Sequence, residues 1–127
     1  MAYYVDGIRL DFNTGTDLSA TPWRAVKLNS SALLVAEADG DAPAIGILTD
    51  NVADGSVTTA RCQVQMTGVA KVELGGTVTL GTHLFLMGTT GGKAVKATTG
   101  KYHFAIPLQS GVSGDIISCL LCFGMIN

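Results

Sequence analysis

Residues 61–74 read RCQVQMTGVAKVEL. Cys62, Val64, Met66, Ala70, Val72 and Leu74 hold the even positions, and Arg61, Gln63, Gln65, Thr67, Lys71 and Glu73 hold odd ones. Successive side chains of a strand point to opposite faces, so this alternation gathers the apolar set on one face and the polar set on the other. It predicts one long, half-buried antiparallel strand with its polar face toward water or a polar neighbour. Gly68 falls on the apolar face, where the missing side chain permits a bend or a close backbone approach. The alternation continues through it, so no inserted bulge residue is expected. Gly75-Gly76 ends the run.

Toward the N-terminus the pattern remains strand and turn. Asp50–Ser56 is a polar loop with an Asp54-Gly55 turn signal, and Ala44–Leu48 is a short apolar strand. Asp39-Gly40-Asp41-Ala42-Pro43 is a strong break. Ala32–Ala38 is an apolar run in which Ala and Leu also favour helix. Asn29-Ser30-Ser31 reads as a turn, and Trp23–Leu28, after Pro22, as a strand. Toward the C-terminus, Val78–Leu80 and Thr82–Met87 are divided by Gly81, with room for one short helical turn. Gly88-Thr89-Thr90-Gly91-Gly92 is a hairpin loop whose return strand is Lys93–Thr98. His103–Leu108 places Phe104, Ile106 and Leu108 on one face. Pro107 lacks an N–H, so that strand lies at a sheet edge or ends there. Ile116–Ile126 is apolar on both faces, as a central strand or one buried between subunits would be. Turn signals recur at the roughly 8–12-residue spacing of a β-sandwich or barrel, and no segment sustains a helical period.

Residues 1–16 read as an N-terminal arm and 17–127 as a single β domain. Tyr4, Ile8, Leu10 and Phe12 share one side of an extended arm, and Asn13-Thr14-Gly15-Thr16 is a flexible link or turn. The arm is too short to bury its aromatics alone, so it must pack on its own domain or on a neighbour. Aromatic anchors are enriched in interface cores. Tyr3, Tyr4, Val5, Ile8, Leu10 and Phe12 are therefore the candidate binding residues. For Trp23 a place in the core is expected.

Composition narrows the classes of function. The 127 residues are one domain's length, long enough to bury a core without disulfides or metals. With 47% apolar and 14% charged residues the chain is not intrinsically disordered. A net charge of -2 without any basic block disfavours nucleic acid as a partner. The longest apolar run is far short of the ~20 residues of a membrane helix. Met1–Asp6 carries no basic region followed by an apolar stretch, so no secretory signal is expected and synthesis should be cytosolic. Three cysteines, Cys62, Cys119 and Cys122, do not make a disulfide framework, and free thiols are expected.

Tests for chemistry return structural readings. Cys119-Leu120-Leu121-Cys122 matches C-x-x-C, but residues three apart on a strand face opposite ways and no second ligand pair accompanies them. Gly88–Lys93 misses the phosphate-loop spacing by one residue and leads into a strand. His83 and His103 lie in different strands, outside any metal spacing. The acidic residues Glu37, Asp39, Asp41, Asp50 and Asp54 do not fit a calcium loop. No catalytic residue, metal or cofactor is expected, and the chain should not be an enzyme.

Several segments resemble the head decoration, or cement, proteins of tailed bacteriophages. They are Asp17-Leu18-Ser19-Ala20 leading into Ala25-Val26-Lys27-Leu28, then Ala44-Ile45-Gly46-Ile47-Leu48, and Val64–Val72. Gly81-Thr82-His83-Leu84, Ala105-Ile106-Pro107-Leu108 and the apolar last strand complete the pattern. The resemblance implies a compact all-β domain of antiparallel β-barrel or sandwich type (β-tulip-like), with an extended N-terminal arm and at most one short helix. It implies a homotrimer on the outer surface of an expanded capsid, clamping neighbouring major capsid protein subunits, with the arm making part of that contact. Other readings of the same features are a tail-tube subunit, a head-fibre base, or a module binding a small ligand or carbohydrate.

Overall fold

The structure, a computed structural model, describes residues 7–15, 18, 21–36, 40, 42–52 and 61–126, with only the backbone of residues 34, 36 and 50–52. Ten strands lie among them: β1 (Arg9–Asn13), β2 (Ala25–Leu28), β3 (Leu34–Ala36), β4 (Gly46–Val52), β5 (Arg61–Gln65), β6 (Val69–Glu73), β7 (Leu86–Gly88), β8 (Ala94–Lys96), β9 (Tyr102–Pro107) and β10 (Ile116–Met125). They form two five-stranded antiparallel sheets, ordered β1-β5-β4-β2-β3 and β6-β10-β9-β7-β8. Helix among the described residues amounts to one 3-10 turn at Thr90–Gly92. The all-β, sandwich-like expectation holds.

The run at 61–74 is two strands, one in each sheet, not the single strand its alternation predicts. Gly68 takes φ +89°, a left-handed conformation that glycine adopts without a Cβ penalty, and the chain turns a corner there. Gln65 holds the corner. Its side chain is 1% exposed, and its amide nitrogen donates to the carbonyls of Thr67 (2.9 Å) and Val69 (3.0 Å). The alternation assigns Gln65 to a wet face, yet it is buried because two turn carbonyls need donors there.

The even-numbered side chains stay buried on both sides of the corner but serve different cores. Cys62 and Val64 join Leu18, Val26 and Leu48 in a cluster on the outer face of the first sheet, with Phe12, Ile45 and Met66 against it. Ala70, Val72 and Leu74 join the core between the sheets, with Ile47, Leu86, Phe104 and Ile117. The central strand β4 is buried on both faces, Ile47 toward one cluster and Leu48 toward the other.

Other differences have local causes. Trp23 precedes β2 instead of opening it, because its φ is +65°, and its half-buried ring belongs to neither buried cluster. Its N–H donates to the Leu48 carbonyl (2.7 Å) and its carbonyl accepts from the Glu73 N–H (2.8 Å), tying the two sheets. The Lys71 ammonium lies 5.2 Å from the ring centroid, and Glu73 pairs with Arg24 (3.3 Å) and Lys93 (3.6 Å) beside it. Leu34–Ala36 is strand, because it closes a hairpin on β2 around Asn29, whose Oδ1 accepts from the N–H groups of Ser31 and Leu33. β4 continues to Val52, beyond the expected end at Leu48, and its pairing with β5 is irregular between Leu48 and Val52. Pro107 ends β9, and the apolar β10 is central, between β6 and β9.

Candidate functional site

The segment read as an arm divides among three settings. Tyr3, Tyr4 and Val5 lie outside the described residues. Of the two places left open for the arm, residues 9–13 take their own domain: β1 pairs with the edge of β5, Leu10 opposite Val64 and Phe12 opposite Cys62. The ladder reaches back to Ile8, whose N–H donates to Thr67 Oγ1 and whose carbonyl accepts from the Met66 N–H, both at 2.8 Å. Phe12 packs against the outer cluster. Ile8 and Leu10, on the same face, remain 58% and 48% exposed.

Those two side chains form one wall of an open groove of about 400 Å³ at the corner. Ile45, Met66 and Thr67 also line it, and Phe123 enters from the second sheet. Phe123 reaches the groove through a bulge. The pairing of β10 with β9 slips by one residue between Leu121 and Gly124, which changes the alternation and re-aims the side chains that follow. Gly124 makes the slip feasible, because a Cβ there would come within 2.7 Å of His103 Nε2. His103 fixes the bulge through Nδ1, 2.9 Å from the Cys122 carbonyl oxygen, and stacks on Phe85 at 4.2 Å. The histidine is thus a structural part of the bulge.

A second opening of about 300 Å³ is lined by Thr82, His83, Leu84, Phe85, Lys96 and Ile126. His83 is committed to its loop, since Nδ1 accepts from the Thr79 N–H (3.0 Å). Among the described residues, no three His, Cys, Asp or Glu side chains come together as a metal site.

The cysteines of the C-x-x-C stretch occupy different surroundings. Cys122 is half-buried, whereas Cys119 is fully buried, and burial pushes its thiol from 9.0 up to about 12, a backbone hydrogen bond at Ala70 opposing the rise. A thiol held protonated by burial is a poor nucleophile. The raised pKa also sets an alkaline stability slope. The unfolded thiol loses its proton near pH 9 and the folded one does not, so the stabilisation is complete below that pH and is lost as pH rises toward 12. The expected loss approaches about 1.4 kcal/mol per pH unit inside that window. Urea titrations between pH 8 and 11 should show it, and Cys119→Ala should flatten it; an equal slope in that variant would assign the loss to other groups.

Ile45, Met66 and Phe123 have no mark in the sequence that separates them from core residues. They meet only because a strand corner and a bulge converge.

A scan against protein-family models finds no match, and a search of curated proteins finds none. Among solved structures, the head fibre gp8.5 N base of bacteriophage phi29 superposes with a TM-score of 0.62, covering 91% of this chain and 93% of that one. The chain resembles a phage head-fibre base in fold. At 12% sequence identity the likeness to the phi29 base is one of architecture alone, spanning nearly the whole of both chains.

Proposed function

We propose that this protein is a structural component of a bacteriophage head, built as a base module that seats on the capsid surface and does no chemistry. The observation that carries the reading is the end-to-end fold likeness to the phi29 head-fibre base, which leaves no large part of either chain unmatched. The segments that resemble head decoration proteins point to the same location independently. Its partners would be the major capsid protein and further copies of itself, on the outside of the virion. A base that anchors a fibre is favoured over a clamp that cements the shell, because the architecture matched is that of a fibre base.

The test is co-sedimentation of the purified protein with empty heads of its phage, unexpanded and expanded. Saturable binding is expected, with little change in the temperature at which the heads come apart. A raised disruption temperature would favour the clamp, and no binding to either form would sink the head reading.

A further inference from the structure

We propose that the turn from Thr79 to His83 is a proton-operated latch, closed while the His83 imidazole is neutral and released when it takes up a proton. This goes beyond the reading as a head component and does not depend on it.

One histidine closes the turn twice. The His83 N–H donates to the Thr79 carbonyl (2.9 Å), and the Thr79 N–H donates back to His83 Nδ1 (3.0 Å). The Thr82 N–H donates to the same carbonyl at 3.3 Å, and Gly81 bends the chain between them with φ +82°. Outside this ring of bonds, the Leu80 N–H is held by Ser110 Oγ at 3.0 Å. A backbone N–H can only donate, so Nδ1 must present its lone pair, which leaves the ring proton on Nε2.

A second proton therefore goes to Nδ1. Both ring nitrogens of an imidazolium are donors, so the Thr79 N–H then faces another N–H and a positive charge. It must turn to water or stay unpaired at a cost. Histidine is the side chain suited to this, since it changes charge between about pH 5 and 8. The sign follows: the closed turn is fully stabilised while the ring is neutral, and the stabilisation is lost on acidification.

Among the described residues, the charged and titratable groups around the ring are Lys96, Asp115 and His103. Lys96 of β8 lines the same opening of about 300 Å³ and, as a cation, can neither accept from Thr79 nor balance the imidazolium. Asp115 belongs to the loop that supplies Ser110, and its Oδ2 accepts the Val112 N–H at 2.9 Å. His103 of β9 reaches this wall only through Phe85, on which it stacks. Thr82, His83, Leu84 and Phe85 make one wall of the opening, so release of the turn reshapes it. The core begins just beyond, at the fully buried Leu86, and stays closed.

Amide NMR of the full chain between pH 8 and 5 tests this. The Thr79 amide proton, shifted downfield by its bond, is expected to move upfield on acidification with the same midpoint as the His83 ring protons. Its exchange protection, corrected for the intrinsic pH dependence, should fall about tenfold or more, while the Val72 and Leu86 amides keep theirs. His83→Asn carries an acceptor that does not titrate, so its Thr79 amide should be indifferent to pH. His83→Ala should show the released values throughout. A wild-type Thr79 amide that ignores the ring's titration would overturn the proposal, as would an equal response in His83→Asn. Loss of protection at Val72 and Leu86 together with Thr79 would mean unfolding of the second sheet, and the latch would be refuted.

Discussion

Ile47→Ala is expected to lower the stability of the fold by about 4 kcal/mol, near the upper part of the range for deleting a buried aliphatic side chain. Of the residues that fill the core between the sheets, the second sheet supplies Val72, Leu74, Leu86, Phe104 and Ile117. The strands of the first sheet supply Ala25 and Ile47, and Ile47 is the one large side chain of the two. Removing it leaves a void that its surroundings cannot close. β4 is held in register on both sides, with Ile47 opposite Ala25 on β2 and Gln65 on β5. Neither partner can refill the space, since Ala25 is small and Gln65 is committed to the corner carbonyls. For a chain of this size the melting temperature should fall by roughly 15 °C. Calorimetry and urea unfolding would check it. A loss below about 1.5 kcal/mol would mean that the sheets are not packed through Ile47.

Gly92→Val is expected to cost a similar amount for a different reason. Gly92 sits in the β7–β8 loop with φ +81°, and a Cβ there would run into the Ala25 carbonyl oxygen on the opposite sheet. Two penalties combine: a β-branched residue in the left-handed region, and a collision that can be relieved only by moving the loop off β2. Gly114→Ala separates them. Gly114 has φ +92°, and a Cβ there would meet nothing within 4 Å, so that variant carries the backbone strain alone, about 1–2 kcal/mol. Gly92→Val should exceed it by about 2 kcal/mol or more, which paired melting curves would resolve. Equal losses would show that this loop does not rest on the first sheet.

Much of the architecture was legible from alternation and turn chemistry. The burial of Cys62, Val64, Ala70, Val72 and Leu74 follows from side-chain period, while Pro107 left an edge or an end open for its strand and the apolar last run left a central or an intersubunit place; the structure takes the end and the central place. The corner at Gly68 does not, because a strand that changes sheets keeps its alternation while exchanging one core for another. Gln65 illustrates the limit. A glutamine at an odd position reads as solvated until two unpaired carbonyls are placed beside it. The site was half legible: Ile8 and Leu10 stand out as apolar residues on a short segment, and Phe12 on the same face is drawn into the outer cluster. Phe123 was hidden, since it faces the groove only through the irregular pairing between Leu121 and Gly124, and a slip of that kind leaves no periodic trace.

The order of the strands along the chain has a consequence for biosynthesis. β1 to β5 make up the first sheet and β6 to β10 the second, with the corner at Gly68 as the passage between them. A chain emerging from the ribosome can complete one ladder before any strand of the other exists. The outer face of that early sheet has a cover from its own half of the chain, in Leu18 and Phe12. Its waiting face presents Ile47 among Ala25, Thr49, Gln63 and Gln65, and Thr49 already donates to the Gln63 carbonyl. A nascent half-protein with so little grease on its open side offers aggregation few footholds. The heavier share of the common core arrives with the second sheet, when there is at last a surface to receive it.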